Sequence, residues 1–110
     1  MENSLVNIIV MYTISEERNN TRSRLHELLL QKFNLKNENQ LNESSYSIHG
    51  NDTVQVENMV NQIVVQLQNE GYTFGNDDFI DMYYAAYIKN ATYKGPDLDK
   101  IVRHRIYPNP

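Results

Sequence analysis

The chain's 110 residues fit one domain able to bury its own core without a metal or disulfide staple. It has no cysteine, which excludes disulfide frameworks, thiolate zinc sites and cysteine nucleophiles. Its net charge of -4 gives no bulk attraction for nucleic acid, so any such binding needs a local basic patch.

Leu5 to Ile14 reads as a strand dense in Val and Ile, with Val6, Ile8, Val10, Tyr12 and Ile14 on one face and Leu5, Ile9 and Met11 on the other. Met1 to Ser4 lacks the basic region of a signal peptide, and the apolar run from Leu5 to Tyr12 is too short for a bilayer. A cytoplasmic protein is expected, with neither membrane nor DNA as partner. Ser15 to Asn20 is a charged connection. A helix follows, with Asn20 or Thr21 as N-cap, an apolar stripe of Leu25, Leu28, Leu29 and Phe33, and an end near Asn34. Asn34 to Asn39 reads as a loop, with room for a short strand over Phe33 to Lys36.

Gln40 to Ile48 then reads as one strand, with Ser44, Tyr46 and Ile48 on one side and Glu43, Ser45 and Ser47 on the other. His49-Gly50-Asn51-Asp52 is a turn. Asp52 or Thr53 caps a second helix with the stripe Val56, Met59, Val60, Ile63, Val64 and Leu67, and Gly71 suits the left-handed position at its end. Phe79 to Lys89 is a strand whose Ile80, Met82, Tyr84, Ala86 and Ile88 look inward. In the remainder, Lys94-Gly95-Pro96 reads as a turn, Leu98, Ile101 and Val102 as a helical turn, and Arg103 to Tyr107 as an edge strand.

This order predicts a ferredoxin-like α+β sandwich over residues 1–90, an antiparallel sheet with two helices on one face, followed by a tail over 91–110. The uncovered face then displays Phe79, Tyr83, Tyr87, Ile9 and Met11. Such a face is a homodimer interface or a stacking platform for RNA bases. In the dimer reading, Arg103 to Tyr107 adds to a partner's sheet edge. The chain has 8 tyrosines and no tryptophan, so much of its aromatic surface carries a hydroxyl that needs a partner.

Basic residues gather at the first helix, as Arg18, Arg22 and Arg24, and in the tail, as Lys100, Arg103, His104 and Arg105. Arginines at a helix start form a phosphate site or, with Glu16, Glu17 and Glu27 adjacent, a solvated paired face. His26 reads as a half-exposed structural histidine at the stripe's edge. His49, at a strand end, is a candidate proton carrier. Asp77, Asp78 and Asp81 lack the spacing of a calcium loop, so no metal site and no cofactor are expected.

The run Gln40-Leu41-Asn42-Glu43-Ser44-Ser45-Tyr46-Ser47-Ile48, followed by a helix carrying Glu57 and Ile63, resembles the GhoS family. These are antitoxin endoribonucleases of type V toxin–antitoxin systems. More distantly, Val10-Met11-Tyr12-Thr13-Ile14 with Arg18, Arg22 and Leu25 looks like the small CRISPR-associated nucleases of ferredoxin-like fold. That family usually carries a metal-serving aspartate after the strand's tyrosine, where this chain has Thr13. The resemblance implies RNA as partner and substrate and cleavage without an essential metal. It implies Arg22 and Arg24 at the phosphate with His49 as proton carrier. Arg18, Tyr83, Tyr87, Arg103 and Arg105 are the further RNA-binding candidates. The alternative is a non-enzymatic homodimeric regulator or protein-binding module of the same fold.

Overall fold

The computed structural model describes residues 6–89, 92 and 94–109, without the side chains of 6, 49–51, 86–89 and 94–99. Five strands and two long helices follow in the order β1 (Val6–Thr13), α1 (Asn19–Lys32), β2 (Gln40–Asn42), β3 (Ser45–Asn51), α2 (Thr53–Asn69), β4 (Phe79–Lys89) and β5 (Lys94–Ile106). The sheet runs β2-β3-β1-β4-β5, and every neighbouring pair is antiparallel. Each helix therefore joins two parallel strands with one strand between them, β1 to β2 around β3 and β3 to β4 around β1. This interleaving of two split βαβ units is the ferredoxin-like α+β sandwich, extended by β5 at one edge.

The alternation in β1, β3 and β4 aims Ile8, Val10, Tyr12, Tyr46, Ile48, Ile80 and Met82 at the helices. There they meet Leu25, Leu28 and Leu29 of α1 and Val56, Val60, Ile63 and Leu67 of α2, all at most 5% exposed. Truncating one of these leucines to alanine removes about 2–5 kcal/mol. Asp52 caps α2 by accepting from the Val54 N–H at 2.8 Å. Gly71, at φ 92°, closes it: the Gly71 N–H bonds the Gln68 carbonyl and the Tyr72 N–H the Leu67 carbonyl. That bond pair is a Schellman motif, and Tyr72 packs on the core beyond it.

Several expectations need correction. Neither Asn20 nor Thr21 caps α1, because the chain first makes a 3-10 turn over Glu16–Arg18 and the helix starts at Asn19. Thr21 is buried and donates instead to the Thr73 carbonyl at 3.0 Å. No strand forms over residues 33–36; Asn34, at φ 52°, ends the helix there. Gln40 to Ile48 is not one strand but a hairpin. The Asn42 side chain accepts from the Ser44 N–H at 2.9 Å, and this local turn splits β2 from β3. His49-Gly50-Asn51 continues β3 rather than turning. Lys94-Gly95-Pro96 is not a turn, and Leu98 to Val102 is not helical. Both lie in β5, which pairs with β4 from Lys89↔Lys94 to Ile80↔Ile106. Pro96 is tolerated because β5 is an edge strand with one side free of ladder bonds.

Candidate functional site

The three helix-start arginines do not act together. The Arg18 guanidinium lies against Gly75, where an added Cβ would come within 3.0 Å of it. Its Nε is 3.9 Å from Asp78, a buried carboxylate that also accepts from the Ser15 and Gly75 N–H groups at 3.0 and 2.7 Å. Asp78 thus serves loop structure, and no group of three or more metal-ligating side chains occurs among the described residues. Arg24 grips both oxygens of Glu70 at 2.8 and 3.0 Å and reaches Glu27 at 3.3 Å. The hydrogen bond from Arg24 is the largest cause holding the Glu70 carboxyl down to about 2, and Glu70 in turn raises the Arg24 guanidinium further. Arg24 is therefore a clamp between the second turn of α1 and the end of α2, not a free phosphate ligand.

Arg22 differs, since it has no ion pair among the described residues. It lines an open cleft of about 480 Å³ between α1 and the β2–β3 hairpin, together with Tyr12, His26, Glu27, Gln40 and Glu43. Arg22 and His26 are four residues apart and so share one face of α1. The His26 Nδ1 is 2.6 Å from the Tyr46 hydroxyl. Tyr46 is fully buried, its ring 6.4 Å from that of Tyr12, and the Tyr12 hydroxyl donates to the Glu43 carbonyl at 2.9 Å. Burial, reinforced by the Tyr12 neighbour, pushes the Tyr46 phenol well above its ordinary value, so it stays protonated. The His26 Nε2 has no partner among the described residues. A cation, an oriented imidazole and an amide at Gln40 thus meet in one cleft. Of its two carboxylates, Glu27 is already engaged by Arg24.

His49 does not join them on the backbone path. Its side chain lies outside the described part, but its place in β3 is four residues beyond Ser45, about 13 Å at strand rise. The cleft lies at the Ser45 end. His26, read from sequence as structural, occupies the position given to His49. The sequence signal for it was the i, i+4 spacing to Arg22.

On the uncovered sheet face, Arg105 donates from Nε and Nη2 to the two oxygens of Asp81 at 2.8 and 2.9 Å and stacks 3.7 Å over the Phe79 ring centroid. The Tyr83 hydroxyl donates to the same carboxylate at 3.1 Å. Arg105 is the largest cause of the lowered Asp81 pKa, acting against the burial that raises it. Arg105 and Tyr83 are thus held by Asp81, which is 1% exposed. Arg103 stands opposite Tyr83 on the same face and is exposed, without an ion pair among the described residues. Strand alternation sends His104 to the other side, 3.2 Å from Glu57 of α2, so the basic run of the tail is divided between two faces. The Tyr87 side chain lies outside the described part.

No family model matches the chain, and no curated protein or solved structure matches it either. No helix among the described residues is long and apolar enough to cross a membrane.

Proposed function

We propose that the protein is an endoribonuclease of the antitoxin type, cleaving messenger RNA in the cytoplasm at the Arg22–His26 cleft without an essential metal. One observation carries this reading: a guanidinium without an ion pair and an imidazole whose Nε2 has no partner, among the described residues, line the same cleft on one helix face. In the reaction, the ribose 2′-hydroxyl gives its proton to the His26 Nε2 and its oxygen attacks the adjacent phosphorus. The bond to the 5′ oxygen breaks, that oxygen takes a proton from the imidazolium or from water, and a 2′,3′-cyclic phosphate and a 5′-hydroxyl remain. Arg22 donates to the non-bridging oxygens as charge grows on them. The test is incubation with a mixed RNA pool in EDTA. Cleavage that persists in chelator and falls by about 10²-fold or more in both Arg22→Ala and His26→Ala supports the reading. Cleavage that requires a divalent metal, or survives both substitutions, overturns it.

A second reading, a homodimeric binding module, is favoured by the outer edge of β5, which has no neighbouring strand among the described residues and carries Ile101 at 59% exposure. A second copy pairing along that edge gives twice the chain mass in light scattering at micromolar concentration, and Ile101→Lys returns it to monomer. A wild-type monomer removes this reading.

A further inference from the structure

We propose that Glu43 and Gln40, on the hairpin wall of the cleft, read the base of the nucleotide being cut and select an unpaired guanine. The proposal rests on the reading of the cleft as a ribonuclease site and names its substrate. It starts from two side chains that the reaction leaves unused. Gln40 and Glu43 line the cleft opposite α1, and neither side chain has a polar partner among the described residues. Glu27, the other carboxylate of the cleft, is held by Arg24. Both hairpin residues are placed by their backbone. Gln40 pairs with Tyr46 and so shares its face, the helix side of the sheet. The Glu43 carbonyl accepts from the Tyr12 hydroxyl at 2.9 Å, and the Ser44 carbonyl from the Tyr12 N–H at 3.0 Å. The Asn42 side chain closes the turn on the Ser44 N–H at 2.9 Å. A turn fastened at these three residues keeps Glu43 at the cleft.

A carboxylate repels a phosphate, so it makes a favourable contact with RNA where donors face it. The four bases differ in what they offer. The Watson–Crick edge of guanine carries N1–H and N2–H side by side, with the O6 acceptor next to them. A carboxylate only accepts, through two oxygens, and so takes both donors at once. The Gln40 amide then donates to O6. Adenine and cytosine each set a ring-nitrogen lone pair beside their amino group, and uracil flanks its one N–H with two carbonyls. Each of these three turns a lone pair toward the Glu43 oxygens. The edge concerned is the one used in base pairing, so the guanine must be single-stranded.

Sequencing the fragment ends from a mixed single-stranded RNA pool identifies the base before each cut. Cuts should follow guanine at least about 10-fold more often than any other base, the discrimination that a bidentate base contact supplies. Glu43→Gln keeps the side-chain shape and the backbone carbonyl but replaces one acceptor oxygen with a donor, and the guanine preference should fall by about 10-fold. Cuts spread evenly over the four bases, or a preference unchanged in Glu43→Gln, overturn the proposal and leave the ribonuclease reading standing. If the protein is inert toward RNA, binding decides. Each of the four nucleoside 3′-monophosphates is titrated into the labelled protein while NMR follows the His26 ring. Saturation by the guanosine nucleotide at about 10-fold lower concentration than by the others supports the guanine site while the ribonuclease reading falls. Equal affinities, or no response, overturn the proposal.

Discussion

Replacing Arg105 with methionine should destabilise the fold by about 1–3 kcal/mol at pH 7, the range for leaving a hydrogen-bonding group without its partner. The figure follows from the unequal burial of the two partners: the Asp81 side chain is 1% exposed and that of Arg105 27%. Removing the arginine leaves a carboxylate whose remaining support is the Tyr83 hydroxyl and the more distant charge of Arg103. Methionine keeps an unbranched stem but gives up the guanidinium stacked over Phe79, a contribution of about 0.5–1 kcal/mol within that range. Removing the other partner, by Asp81→Asn, leaves a guanidinium that can turn to solvent, and about 1.5–3 kcal/mol is expected.

The pH dependence separates this account from a simple packing loss. In the wild type the Asp81 carboxyl is held below its unfolded value of about 3.9, so its stabilisation is complete above that pH and is lost as the pH falls through the lower folded value. In Arg105→Met the largest cause of that lowering is gone, leaving burial, which raises the carboxyl, against the lowering by the Tyr83 hydroxyl and Arg103. The variant therefore lacks most of the stabilisation that the wild type holds at neutral pH and loses as the pH falls. The gap between the two proteins must therefore narrow between pH 7 and pH 3. Urea unfolding followed by circular dichroism at the two pH values measures it. A difference below about 1 kcal/mol at pH 7, or one that does not change with pH, would refute the reasoning.

Two further outcomes follow from the helix ends. Gly71→Ala should cost about 1–2 kcal/mol and lower the thermal midpoint by several degrees, since φ is 92° and the added Cβ meets nothing within 4 Å; a neutral substitution would show that the backbone there is not strained by a side chain. The Arg24–Glu70 clamp should give an acid limb: its stabilisation is complete above about pH 4.3, the ordinary carboxyl value, and is lost as the pH falls through about 2. Glu70→Gln should lack that limb, and identical pH profiles of the unfolding midpoint for the two proteins would contradict it.

The sheet's central strands and both helices were legible because their burial is periodic. Ile8, Val10 and Tyr12 alternate, and Val56, Val60, Ile63 and Leu67 recur at helical spacing, so pattern alone assigns element and face. The β2–β3 hairpin was hidden because an Asn42 side chain makes its turn, with no glycine or proline to mark it. The end of β5 was legible as an edge strand from Arg103, but its first half was hidden for the opposite reason: Gly95 and Pro96 signal a turn, and only the edge position lets them sit in a strand. The candidate site was half legible. Arg22 stands out as a cation near a helix start, but its freedom depends on Glu70 capturing Arg24 from 46 residues away. Likewise, Asp81 and Arg105 read as a loose acid and a tail cation until the β4–β5 register sets them side by side.

Asp78 carries a consequence for how this chain can change. One carboxylate fastens the Ser15 and Gly75 amides, and so ties the segment entering α1 to the segment entering β4. The two loops form one unit of variation. Lengthening either by a residue moves an amide out of reach and releases the carboxylate toward Arg18, so a tolerated insertion in one requires an answering change in the other. A graft that exchanges these loops between scaffolds has to carry both, with the aspartate, as a single piece.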